Sequence, residues 1–137
     1  MILVSACLVG ENCKYNGDNN KNEKVLEFLK DKEYIKICPE VMGGLPTPRP
    51  PSEIKGDKVF NIKGENVTKN FISGGKYALE IAKNKKPELI ILKAKSPSCG
   101  LGQVYDGSFS ATLKEGNGIA CQMLIDNGFK IITENEI

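Results

Sequence analysis

No histidine occurs in this 137-residue sequence. That removes the Ser-His and Cys-His dyads and every metal site that needs an imidazole. A strong net charge is also missing. Nineteen basic and 17 acidic side chains leave +2, which gives no electrostatic case for nucleic acid or a bilayer as partner. No apolar run approaches the roughly 20 residues of a transmembrane helix. The opening MILVSACLVG lacks the basic flank of a signal peptide and suits a strand. A cytoplasmic protein is therefore expected, in a compartment where disulfides rarely persist. Five cysteines, an odd number, also speak against a disulfide scaffold. Gly43-Gly44, Gly74-Gly75 and Gly100-x-Gly102 form no G-x-G-x-x-G fingerprint, and SGGK lacks Walker A spacing.

What is present fits one α/β domain over residues 1–137, long enough to bury a real core. MILVSA is a short apolar run suited to a strand buried on both faces. The segment from Cys7 to Asn20 holds two glycines and four asparagines, which mark loop and turn. NEKVLEFLKD repeats apolar residues with helical spacing, with Asn22 as its N-cap. YIKICPE is a second strand stopped by Pro39. VMGGLPTPRPPSEI carries four prolines and two glycines and is expected to be a long irregular loop, of the kind often used functionally. DKVFNIKGENVT alternates weakly about a Lys-Gly turn and suggests a small hairpin. TKNFISGGKYALEIAKNKK is helical, although its glycine pair weakens the middle. PELIILKAK reads as a third strand, GSFSATLKEGNG as loop, GIACQMLIDNG as a helix and FKIITE as a fourth strand. The alternation predicts a mainly parallel, Rossmann-like sheet of about four strands flanked by helices.

The cysteines then fall into a pattern. Cys7 and Cys38 end the first and second strands, Cys99 lies just past the third, and Cys13 is in the loop leaving the first. Parallel strands would gather these four along one edge of the sheet, where open α/β folds place their ligands. Any one of them alone could be core filler, since free cysteine is often buried. Cys13 and Cys99, set among Gly, Asn, Ser and Pro, are instead expected near the surface. Cys121, between Ile119 and Met123 in a helix, is expected to be a small core residue. Soft sulfur ligands suit zinc, cuprous copper or an iron–sulfur cluster, and the spacing contains neither paired C-x2-C knuckles nor a ferredoxin run. Three thiolates would leave a coordination position open for a substrate.

Other residues surround these thiols in the sequence. Glu40 in CPE could serve as a general base. Ser96 and Ser98 could donate hydrogen bonds to a substrate or relay a proton. Arg49, stiffened by prolines on both sides, is suited to an anionic substrate group or to a carboxylate such as Glu53.

Three blocks, SACLVGENCKYNG, CPEVMGGLPTPRPPSEI and KAKSPSCGLG, together resemble the signatures of a bacterial family that includes thiouracil desulfurase. The resemblance spans nearly the whole chain. It implies a [4Fe-4S] cluster held by three cysteines with one iron open to the sulfur of a small thiocarbonyl substrate. Water would replace that sulfur without net redox change, and sulfide would leave. Carried over by residue, it implies Cys7, Cys13 and Cys99 as ligands, with Cys38 as the alternative third. It implies Glu40 as the residue that activates water and Ser96 as its proton-transfer partner. The competing readings are a non-catalytic zinc module on all four cysteines and a thiol-transfer protein in which Cys99 is the nucleophile.

Overall fold

The computed structural model describes all 137 residues. Strand β1, Ile2–Ser5, is buried along its whole length because it lies inside the sheet. It pairs in parallel with β2, Tyr34–Ile37, on one side and with β5, Leu89–Leu92, on the other. β5 pairs in parallel with β8, Ile131–Thr133, giving the order β2-β1-β5-β8. The α/β class and the four-stranded parallel sheet are as the alternation predicts.

Period-two alternation divides the core. Leu3, Ile90 and Leu92 face helices α3, Thr68–Lys85, and α4, Ile119–Asp126, through Ala78, Ala82, Cys121 and Leu124. Ile2, Val4 and Ile91 face α1, Glu23–Leu29, through Val25 and Leu29. Asn22 caps α1 as expected, its Oδ1 accepting from Val25 N at 3.1 Å. The glycine pair of α3 reflects packing on two sides. A Cβ at Gly74 would lie 1.8 Å from the Pro39 carbonyl oxygen, and one at Gly75 would lie 2.8 Å from Met123 Sδ. Their bare backbone lets α3 approach both α4 and the short helix α2, Pro39–Met42.

Three local readings change. Pro39 ends β2 but also opens α2, occupying the first helical position where its missing N–H leaves nothing unsatisfied. The proline-rich segment is irregular only in its middle, because Ser52–Lys55 forms β3. β3 pairs antiparallel with β4, Lys58–Asn61, so the hairpin turns at Gly56–Asp57. The Lys-Gly turn at 63–64 instead returns Asn66 to a single bridge with Phe60. The stretch read as loop after the third strand contains β7, Leu113–Glu115, paired with β6, Gln103–Tyr105. These strands are too short to show a period in sequence. A small core of Ile54, Val59, Phe71 and Val104 lies beneath the two hairpins. No helix is long and apolar enough to cross a membrane.

The connections leave β1 and β5 in opposite directions, so the switch point of the sheet lies between their carboxyl ends. The ladder stops there for a local reason. Beyond the Val4–Ile91 pair, Lys93 N donates to the Ser5 side chain at 3.0 Å instead of to a backbone carbonyl. Ala94 N then donates to Glu134 Oε1 at 2.7 Å. The two strands part, and a cleft opens.

Candidate functional site

The cleft has a volume of about 520 Å³ and lies at this carboxyl edge. Cys7, Cys13, Cys38 and Cys99 all line it, together with Glu40, Arg49, Ser96 and Ser98. Every site residue singled out in the sequence therefore comes to one place. Cys121 does not. It is fully buried among Leu3, Ala78 and Leu124, as core filler should be.

Cys7 sits in a single 3-10 turn, Ala6–Val9, directly after β1. The chain reverses at Gly10, whose φ of +99° suits a residue without Cβ. The Cys7 carbonyl accepts from both Gly10 N and Asn20 N, at 3.3 and 2.9 Å, closing the loop that carries Cys13. The Cys13 thiol lies within hydrogen-bonding reach of both Cys7 and Cys38. That contact holds the Cys7 and Cys38 thiols below their ordinary range, against the opposing effect of burial. Cys13 is pushed up, chiefly by its contact with Cys38 and then by that with Cys7. Cys38 is the N-cap residue of α2, with its Sγ 3.9 Å from the Cys13 carbonyl.

Cys99 is buried, contrary to its loop-like sequence surroundings, while Cys13 is half-buried. The cause is α4. Ile119 N and Cys121 N donate to the Pro97 and Ser98 carbonyls at 2.9 and 3.1 Å, so the site loop satisfies the helix's free N–H groups. Gly118 makes this approach feasible, since a Cβ there would lie 2.5 Å from the Ser98 carbonyl carbon. Burial pushes the Cys99 thiol up to about 12, partly offset by contacts with Ser5 and Ser98. Its Sγ is 3.7 Å from Ser98 Oγ.

The polar groups form a continuous chain. Ser98 Oγ donates to Glu40 Oε2 at 3.0 Å, and Ser96 Oγ lies 3.0 Å from Ser98 Oγ. Ser96 Oγ also accepts from the backbone N–H groups of Ser98 and Cys99, at 3.1 and 3.0 Å. With Ser98 donating to the carboxylate, Ser96 must donate to Ser98, since each hydroxyl has one proton. The other oxygen of Glu40 accepts from Arg49 Nε at 3.1 Å. Arg49 pairs with Glu40 and not with Glu53. Its remaining N–H groups reach the Pro46 carbonyl, Thr47 Oγ1 and the Cys13 carbonyl, at 3.2, 3.0 and 2.8 Å. One buried guanidinium thus joins the acid, the proline-rich loop and the Cys13 loop.

Sequence reasoning passed over Ser5, Lys93 and Phe109, which also line the cleft. Ser5 had a readable signal, a small polar residue closing an apolar strand. No three Cys, Asp or Glu side chains converge on one point as the ligands of a single ion do. Four thiols nevertheless line this one cleft, beside the carboxylates of Glu40 and Glu53. Those thiols fit a soft, sulfur-bound group larger than one ion.

A sulfur-rimmed cleft at the switch point of a parallel α/β sheet, with a hydrogen-bonded carboxylate beside it, defines the class. The sequence matches the 2-thiouracil desulfurase family over residues 2–136, and the chain belongs to that family. It is 39% identical to the uncharacterized protein YbbK of Bacillus subtilis (strain 168), across 100% of this chain and 97% of that protein. Its fold is similar to a solved structure of TudS (DUF523Vcz), a [4Fe-4S]-dependent thiouracil desulfidase. The TM-score is 0.91 at 35% identity, covering 99% of this chain and 91% of TudS.

Proposed function

We propose that this protein is a [4Fe-4S]-dependent desulfidase acting on a small thiocarbonyl compound such as a thiouracil-like base. One water and one C=S group give one C=O group and one hydrogen sulfide, with no net oxidation or reduction. Cys7, Cys13 and Cys99 would hold the cluster, with Cys38 the alternative third ligand. When bound, the cluster supplies a soft Lewis-acidic iron that prefers sulfur to oxygen.

The chain's own residues supply the proton handling. The Glu40 carboxylate takes a proton from the attacking water. Once Glu40 carries that proton, the Ser98 and Ser96 hydroxyls turn over, so that Ser98 accepts from Glu40 Oε2 and donates to Ser96. Arg49 fixes the direction of the carboxylate through Oε1. Substrate polar atoms would meet Ser98 or Arg49 only where hydrogen-bonding capacity remains, since both already have protein partners. The five free thiols suit a reducing, cytoplasmic setting.

The observation that carries this reading is the Glu40–Ser98–Ser96 chain beside four thiols in one cleft, in a member of this family. Glu40→Gln tests it. Sulfide release from 2-thiouracil by anaerobically reconstituted protein should fall by a factor of about 10²–10⁴, the usual worth of general acid–base catalysis. Iron content should stay unchanged. Full activity in the variant rejects the role of Glu40. A colourless protein holding one zinc would favour the binding-module reading.

A further inference from the structure

The loop from Asp106 to Thr112 joins β6 to β7 and lines the cleft through Phe109 and Ala111. Its backbone is held in an unusual form. Phe109 and Ala111 have φ of +55° and +60°, in the left-handed region that non-glycine residues seldom occupy. Such conformations persist only where the surroundings impose them, and they collect at ligand contacts.

The imposing group is Glu53, on β3. Its Oε1 accepts from Gly107 N at 3.0 Å and from Phe109 N at 3.1 Å. Gly107 lies directly on the strand, where a Cβ would be 2.8 Å from Lys55 Cβ. Within the loop, Ser108, Ser110 and Thr112 form a hydroxyl chain with steps of 2.5 and 2.9 Å. Phe109 is thereby turned into the cleft lining, half-buried, in company with Tyr105, Tyr15 and Ile62. Ile62 remains 58% exposed at the mouth. The cleft is therefore lined both by thiols and proton carriers and by aromatic and aliphatic surface.

We infer that Phe109 is the specificity-determining wall of this site. It stacks on the face of a flat, uncharged heteroaromatic ring whose thiocarbonyl sulfur points to the thiols, and Glu53 is the positioning residue that holds it there. This rests on the desulfidase reading for the sulfur end of the ligand. Its own content is selection for planar heteroaromatic thiocarbonyls over aliphatic thioamides.

The test is anaerobic equilibrium dialysis and steady-state kinetics on the cluster-loaded protein, with 2-thiouracil and thioacetamide as probes. Phe109→Ala should weaken 2-thiouracil binding by about tenfold or more, as loss of a base–aromatic stack does. The loss should appear in KM and not in kcat, and discrimination against thioacetamide should fall by the same factor. Phe109→Tyr should restore both. Glu53→Ala should reproduce the KM effect through the loop. Equal 2-thiouracil affinity in wild type and Phe109→Ala overturns the inference, as does failure of Phe109→Tyr to restore it. Ring binding by wild type that depends on Phe109, with no sulfide released, overturns the desulfidase reading and supports the wall. Sulfide release with a KM indifferent to Phe109 overturns the wall alone.

Discussion

Replacing Arg49 by methionine keeps most of the side chain's length and removes its charge and all its donors. Only 4% of the Arg49 side chain and 15% of the Glu40 side chain are exposed, so solvent screens their pairing little. Four hydrogen bonds disappear together: one to Glu40, two to the Pro46–Thr47 turn, and one to the Cys13 carbonyl. Breaking a buried pair from one side strands the other charge and costs about 3–5 kcal/mol. That is a large share of the 5–15 kcal/mol typical of a whole domain. For a chain of this length the melting temperature should drop by about 10 °C or more. Adding Glu40→Gln removes the stranded charge, so the double variant should be more stable than the sum of the single losses by about 1–2 kcal/mol. Arg49→Lys keeps the charge without the fork and should fall between. Thermal and denaturant unfolding of anaerobic wild type, both single variants, the double variant and Arg49→Lys measure these differences. An Arg49→Met variant that melts within about 2 °C of wild type, or strict additivity in the double variant, refutes the idea that this guanidinium braces the site.

Three further outcomes follow from the same geometry. Cys7→Ala and Cys99→Ala should abolish iron retention. Comparing Cys13→Ser with Cys38→Ser identifies the third ligand, since only its loss should lower bound iron to the same level. Gly118→Ala places a methyl 2.5 Å from the Ser98 carbonyl carbon. It should cost about 1–3 kcal/mol as an overpacked contact and lower iron retention through the displaced Cys99 loop, measurable by unfolding and iron assay. Burial pushes the Cys121 thiol up to about 12 from 9.0. A raised folded value means that its contribution to stability is complete below pH 9.0 and is lost as pH rises towards about 12. Metal-free protein should therefore lose stability over that interval, and Cys121→Ala should flatten the decline. An identical alkaline profile in the variant contradicts the assignment.

Much of the fold was legible because its signals are periodic. ILVS and LIIL are short apolar runs that suit a strand covered on both faces, and the Asn22 cap and the face of α1 follow helical spacing. The convergence of the cysteines followed from topology alone, because parallel strands carry their ends to one edge. What escaped was tertiary. Pro39 and Gly74 read as a stop and a weakness, yet together they make the contact between α2 and α3 that fixes Glu40. Cys99 read as exposed because its neighbours are turn residues. It is buried by α4, which starts 20 positions later at Ile119. Arg49 read as a partner for Glu53, yet the fold pairs it with Glu40 and gives Glu53 to the backbone of Phe109. The strands β6 and β7 are three residues each, below the length at which alternation can be recognised.

The central claim is that this cleft holds a sulfur-ligated cluster and uses it to remove sulfur from a thiocarbonyl compound. The most direct measurement is anaerobic reconstitution with iron and sulfide, then assay of bound metal and of sulfide released from 2-thiouracil. The account predicts brown protein with about four irons and four acid-labile sulfides per chain. It also predicts one sulfide released for each uracil formed, with no added reductant or oxidant. Reconstituted protein that binds no iron, or that binds it and releases no sulfide from any thiocarbonyl compound, contradicts it.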